Sequence, residues 1–167
     1  MNTTKKKLAV LLLGAILALA SAGCTSTTSP SSDESGNAQV DVQKDNSSGE
    51  LGDYAIEIGD YFLTKTYEGK DAIVINMKYT NNAEEAKNYM TTLTGSAFQD
   101  GVELSTAIIM DGSYDAESQM KDIKTGASID VQVAYELSNT TSDVEFEIEE
   151  FISFSDKKIE KVFELAE

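Results

Sequence analysis

From Leu51 onward, apolar and polar side chains alternate with a period of two, the spacing that turns every second residue toward one face of a β-strand. The longest run covers residues 127–137. There Ala127, Ile129, Val131, Val133, Tyr135 and Leu137 alternate with Ser128, Asp130, Gln132, Ala134 and Glu136. A second run sets Val144, Phe146 and Ile148 against Glu145, Glu147 and Glu149, with the apolar series continuing through Ile152 and Phe154. A third places Ile73, Ile75, Met77 and Tyr79 on one face. Shorter strands are predicted over Tyr54–Ile58, Tyr61–Thr66, Met90–Phe98, Val102–Ile109 and Ile159–Leu165.

Turn chemistry separates these runs: Glu68-Gly69-Lys70-Asp71, Thr80-Asn81-Asn82, Asp100-Gly101, Asp111-Gly112-Ser113 and the polar stretch Ser138–Asp143. Asp100-Gly101 predicts a type I′ hairpin, because both residues accept positive φ. Residues 83–88 and 115–124 have room for a turn or two of helix and no more. Many short strands separated by close turns imply an all-β antiparallel sandwich of seven to eight strands, with a closed barrel as the alternative.

The beginning of the chain follows other rules. Lys5, Lys6 and Lys7 precede an uninterrupted apolar stretch, Leu8–Ala20, which ends in Ser21-Ala22-Gly23-Cys24. This stretch is too short to span a bilayer and suits the core of a signal peptide. Together with Cys24 it resembles the lipobox of bacterial prolipoproteins, although the third residue before the cysteine is usually Leu and here is Ser21. The resemblance implies cleavage after residue 23 and diacylglycerol on Cys24, a pair of acyl chains that anchors lastingly to a membrane. Residues 24–50 then read as a linker rich in Ser, Thr, Asn and Asp, with too little apolar surface to offset the entropy of ordering. Its flexible part reaches about 25 to 30 Å. The expected organisation is therefore signal peptide 1–23, anchored linker 24–50 and sandwich domain 51–167.

Composition narrows the chemistry. The chain holds 13 Lys and no Arg against 29 acids, a net charge of −16; without residues 1–23 it keeps 10 Lys, for −19. Such a surface repels nucleic acid, so none is expected as a partner. No His is present, which removes Ser-His and Cys-His nucleophile pairs and His-bearing metal sites. Cys24 is the sole cysteine, so no internal disulfide can form. No cofactor is expected. These absences favour a non-enzymatic module over a hydrolase working through carboxylates or a Ser-Lys pair.

Several side-chain groups merit a structural check. Asp111, Asp115, Glu117 and Asp122 crowd one stretch, but an EF-hand frame starting at Asp111 fails at its turn, where Ala116 replaces Gly, and ends in Asp122 instead of Glu. No metal site is expected, and a loose cation site in an acidic surface protein is the alternative. Glu145, Glu147, Glu149 and Glu150 read as the solvated face of a strand rather than an enclosed acid-base pair. The seven tyrosines are expected at the rim with wetted hydroxyls, or as an edge patch for carbohydrate or protein.

Four segments carry a wider likeness: Lys78-Tyr79-Thr80-Asn81-Asn82, Ala97 through Leu104 (AFQDGVEL), Ile123 through Ser128 (IKTGAS) and Ala134-Tyr135-Glu136-Leu137. They resemble a family of Gram-positive lipoproteins, the domain of unknown function 5067, over most of residues 51–165. The resemblance implies an immunoglobulin-like sandwich, lipid-anchored at the extracellular face of the cell membrane, and supplies no catalytic residues. An envelope protein or wall component is the partner it leaves to expect. Limited proteolysis should cut the linker first and release a fragment of about 115 residues; a ladder of smaller fragments would contradict the division.

Overall fold

A computed structural model of the chain describes residues 46–153 and 155–165. The signal peptide, Cys24 and most of the linker lie outside these residues, as does Phe154. Among the described residues, eight strands form two antiparallel four-stranded sheets. One has the order β1 (Ser48–Leu51), β2 (Tyr54–Lys65), β3 (Asp71–Asn81), β6 (Ala127–Glu136); the other is β5 (Val102–Glu103), β4 (Leu93–Gln99), β7 (Val144–Glu150), β8 (Ile159–Phe163). The all-β sandwich is thus as the alternation predicts. Strand order refines it: β2 and β3 form a hairpin in one sheet, whereas the immunoglobulin order divides the second and third strands between sheets.

The alternating runs supply the inner faces. Ile73, Ile75, Met77 and Tyr79 of β3 meet Val144, Phe146 and Ile148 of β7 in one cluster with Val131, Val133 and Tyr135 of β6. Each of these large side chains contributes about 1.5 to 3 kcal/mol on leaving water. The Asp100-Gly101 hairpin forms as expected, with φ of 52° and 75°. Where the sequence suggests two strands, Tyr54–Ile58 and Tyr61–Thr66, the structure has one, β2, whose register against β3 shifts between Ile58 and Tyr61. This bulge leaves the carbonyls of Ile58 and Gly59 to accept from Lys161 Nζ, at 3.3 and 2.6 Å.

Other expectations need correction. Strand β1 starts at Ser48, inside the stretch expected to be linker, because Gly49–Glu50 and their neighbours pair with β2. Residues 89–92 form a single helical turn, α1, at the head of the predicted strand Met90–Phe98; Asn88 caps it by accepting from the Thr91 amide. Residues 83–88 form no helix, and 116–120 form a 3₁₀ turn. Strand β7 stops at Glu150, leaving Phe151 and Ile152 exposed.

The largest departure lies after β5. The predicted strand Val102–Ile109 pairs for only two residues, and the chain then crosses from one sheet to the other as a strap. Leu104 still belongs to the inter-sheet core; Ala107 already packs with Ala72, Val74 and Ala134 on the far side of β3 and β6. Thr106 bridges to Tyr135, the Ala107 amide donates to the Ala134 carbonyl (2.9 Å), and the Glu136 amide donates to the Ser105 carbonyl (2.8 Å). Beyond it, Phe62, Ile109 and Tyr114 complete a small second core.

Two buried amide side chains hold the loops. Gln99 accepts from the Ser138 and Asn139 amides and donates to the Asn139 and Ser142 carbonyls. Asn81 donates to the Glu85 and Ile123 carbonyls and accepts from the Ala83 amide. Gln99→Leu keeps the volume and removes four bonds, stranding buried backbone groups. It should lower stability by about 3 kcal/mol in urea unfolding, with the denaturant slope unchanged; a loss below about 0.5 kcal/mol would show that the loop is not held this way.

Candidate functional site

The acids singled out from sequence are dispersed into local bonds. Asp111 accepts from Ser113 and from Thr64, Asp115 caps the 3₁₀ turn and pairs with Lys121, and Asp122 accepts from Asn88. Glu145 and Glu149 face solvent on β7, and Glu147 and Glu150 are half-buried, Glu147 beside Lys158. The buried polar residues among those described are all neutral: Thr66, Asn81, Thr92, Gln99 and Ser118. The lysine bonds go to carboxylates or, for Lys161, to backbone carbonyls.

The tyrosines are where expectation and structure part. Tyr79, Tyr89 and Tyr135 lie in the core, not at the rim. Tyr79 shares a hydrogen bond with Thr92 (3.1 Å), and Tyr135 donates to the Gly95 carbonyl (2.8 Å). Tyr89 is 3% exposed, and its hydroxyl makes no hydrogen bond to any described residue. An orphaned buried hydroxyl of this kind costs about 1 to 3 kcal/mol.

Tyr89 also lines a pocket on the side of the sandwich, built from four pieces of chain, with its hydroxyl closed off from solvent behind the wall. Turn α1, capped by Asn88, directs Tyr89 inward and leaves Met90 about half exposed. Strand β4 follows with Leu93, Gly95 and Ala97 on its inner side. Gly95 is required by close approach: a Cβ there would meet two carbons of the Phe146 ring at 2.9 Å and Tyr89 Oη at 3.0 Å. Strand β6 adds Val133, Ala134 and Tyr135, and the strap adds Thr106, Ala107 and Tyr114. Gln119 locks the strap by donating to Tyr114 Oη and to the Gln132 carbonyl, both at 2.8 Å. Phe151, tied by its amide to the Thr92 carbonyl (2.9 Å), stands at the margin and is 61% exposed. The cavity measures about 290 Å³, and none of its lining residues is charged.

A larger groove of about 820 Å³ runs between the β2 bulge and β8, past Asp60, Tyr61, Asp143 and Glu160–Glu164. Three of its polar side chains are committed to the fold. Lys161 serves the bulge carbonyls, Tyr61 donates to the Glu164 carbonyl (2.7 Å), and Asp60 accepts from Asn76 (2.8 Å). The smaller pocket has the better claim to a ligand, because it joins apolar walls to an unspent hydrogen-bonding group.

Sequence reasoning named Tyr89 only as one tyrosine among seven and did not connect it to Gly95, Gln119 or Phe151. One signal was present: Gly95 interrupts the inward series Leu93–Ala97, and glycine inside a strand marks a close approach.

Fold and site together define an all-β sandwich with a lateral, uncharged, aromatic-lined pocket. The chain belongs to the family described as Domain of unknown function (DUF5067), whose model matches residues 27–150. A solved protein from Enterococcus faecalis, determined by NMR, is similar: 21% identical, covering 72% of this chain and 91% of its own, with a TM-score of 0.53. The crystal structure of the YjhA protein from Bacillus subtilis is 9% identical, covers 71% of this chain and 96% of its own, and has a TM-score of 0.48. The first shows the fold alone. No curated protein matches the chain.

Burial raises the phenol pKa of Tyr79, Tyr89, Tyr114 and Tyr135, because the phenolate would be charged in an apolar setting. Once unfolded, the same phenols ionise near pH 10. Above that pH the folded chain therefore binds more protons than the unfolded one, and stability falls as pH rises. Urea midpoints should hold to about pH 9.5 and then decline. Absorbance at 295 nm should show these four phenols ionising at higher pH in the folded chain than in the unfolded one; equal titration of these four in both states would refute their burial.

Proposed function

We propose that this chain is a lipoprotein held by diacylglycerol on Cys24 at the extracellular face of a bacterial membrane, where its sandwich works as a non-enzymatic binding module. The observation that carries the binding reading is the uncharged aromatic pocket with its unpaired Tyr89 hydroxyl and exposed apolar margin. Anchoring is supported by the basic start, the short apolar run and the single cysteine that ends it. The partner class is an envelope protein, since apolar area around a pocket fits a protein contact better than a soluble polysaccharide.

The competing readings find less support. A carboxylate hydrolase needs a paired acid enclosed in a cleft, and no described acid is buried. A Ser-Lys hydrolase needs a lysine aimed at a serine, whereas the lysine bonds observed go to carboxylates and carbonyls. A cation-binding role needs converging oxygens, and Asp111, Asp115 and Asp122 are each engaged by separate neighbours.

Two measurements on cells test the proposal. The wild-type chain should fractionate with membranes and Cys24→Ala should not; equal membrane retention of both would remove the anchor. A photoreactive amino acid in place of Phe151 should capture one envelope protein. The same group in place of Glu145, on the solvated face of β7, should not capture it. Identical capture from both positions would remove the pocket from the account.

A further inference from the structure

The binding reading leaves open what the pocket takes, and its dimensions and chemistry restrict the answer. A volume of about 290 Å³ is at the bottom of the range for small-molecule sites, room for one ring-sized group and not for a cofactor or an oligosaccharide. The lining residues Tyr89, Met90, Leu93, Val133, Tyr135 and Phe151 favour an apolar or aromatic body. No lining residue is charged, so an ionic group would lose its hydration without an opposite charge to replace it. A chain with net charge −16 makes that neutrality more telling.

The Tyr89 hydroxyl adds the polar specification. It is closed off from solvent beside Gly95, can both donate and accept, and is unpaired, whereas the hydroxyls of Tyr135 and Tyr114 are already bonded to Gly95 and Gln119. An entering ring with one neutral hydrogen-bonding substituent would satisfy it. Reaching the hydroxyl from the pocket requires a lining side chain to move. Met90, unbranched and half exposed, is suited to swing aside.

The margin identifies the source of the ring. Phe151 is 61% and Ile152 78% exposed, directly after β7, so apolar surface continues outside the cavity where a free small molecule would leave it wet. A buried aromatic anchor inside a ring of apolar contacts is the anatomy of a protein-protein hot spot. Resting on the binding-module reading, we infer that the pocket receives an aromatic side chain of a partner polypeptide, one with a neutral hydrogen-bonding group as in tyrosine, which pairs with the Tyr89 hydroxyl.

The test uses purified chain from residue 24 onward carrying Cys24→Ser, so its outcome is independent of anchoring. The probes are p-cresol, toluene and the capped peptide Ala-Leu-Tyr-Leu-Ala, followed by amide chemical shifts. p-Cresol should saturate and move Tyr89, Gly95 and Tyr135. Tyr89→Phe should weaken p-cresol about fivefold while leaving toluene within about twofold. The same variant should melt about 3 °C higher without ligand, because the orphan hydroxyl is gone. This rise also shows that the variant folds. The peptide should bind about tenfold tighter than p-cresol, and Ile152→Ser, which changes the margin but no lining residue, should reduce only the peptide. Equal p-cresol affinity for wild type and Tyr89→Phe, no saturable shift, or a lower melting temperature in the variant would overturn the role of the hydroxyl. A peptide no tighter than p-cresol, or one indifferent to Ile152→Ser, would overturn the polypeptide occupant.

Discussion

The seating of residues 105–107 against β6 is the constraint on which one side of this molecule depends. Strand β6 is the last of its sheet, and its outward amide and carbonyl groups need partners. The strap provides them: Ala107 donates to Ala134, Glu136 donates to Ser105, and further along Gln132 is bonded through Ser118 and Gln119. Once seated there, the chain passes over the outer face of the sheet, and Ala72 and Val74 become buried from above while Ile73 and Ile75 are buried from below. Burial on both faces explains the continuous apolar run Ala72–Ile75, which breaks the alternation of a strand with one wet face. The strap also walls the pocket with Thr106, Ala107 and Tyr114, so pocket and edge protection have one cause.

The two buried amides extend the same logic to loops that no strand can reach. An amide side chain offers a donor and an acceptor group together, and so can stand in for backbone where the ladder ends. Asn81 does this at the end of β3, where its own carbonyl also accepts from the Gly126 amide (2.6 Å), and Gln99 does it at the end of β4. Both lie within the segments that carry the family likeness, Lys78–Asn82 and Ala97–Leu104, and Gly126 lies within a third. Those segments therefore describe how loops are fastened to the sandwich, which is why they speak to fold and not to a ligand.

The fold was largely legible because period-two alternation directly reflects burial on one face, as in Val144–Glu150 and Ala127–Glu136. It misled where alternation had another cause. In Val102–Ile109 the alternate apolar residues serve two different cores, Leu104 between the sheets and Ala107 outside them, a division that no local pattern records. Strand β1 was missed because Ser48, Gly49 and Glu50 have little strand propensity and are held by pairing with β2. The candidate site was less legible than the fold. Its members come from residues 89–95, 106–119, 133–135 and 151, and only the crossover of the strap brings them together.

Charge is divided over the surface in a way that bears on recognition. Strand register places Glu145 between Phe98 and Val162, Glu147 between Ser96 and Glu160, and Glu149 beside Thr94, with Glu103 opposite Phe98. The outer face of that sheet is therefore rich in carboxylates, and Lys158 forms its ion pair there with Glu147. Such a face repels anionic surfaces, but only out to a Debye length of about 8 Å at physiological salt. The pocket has no charged wall, so the field of the sheet cannot supply its selectivity. For the proposed occupant, selection would fall to shape and to the unpaired Tyr89 hydroxyl. A site of this design rejects a group that lacks a hydrogen-bonding partner more strongly than one of slightly wrong size, because the unmet polar group carries the larger cost. If the pocket binds as proposed, the stability lost by leaving Tyr89 unpaired in the free chain is what would give the site its capacity to discriminate.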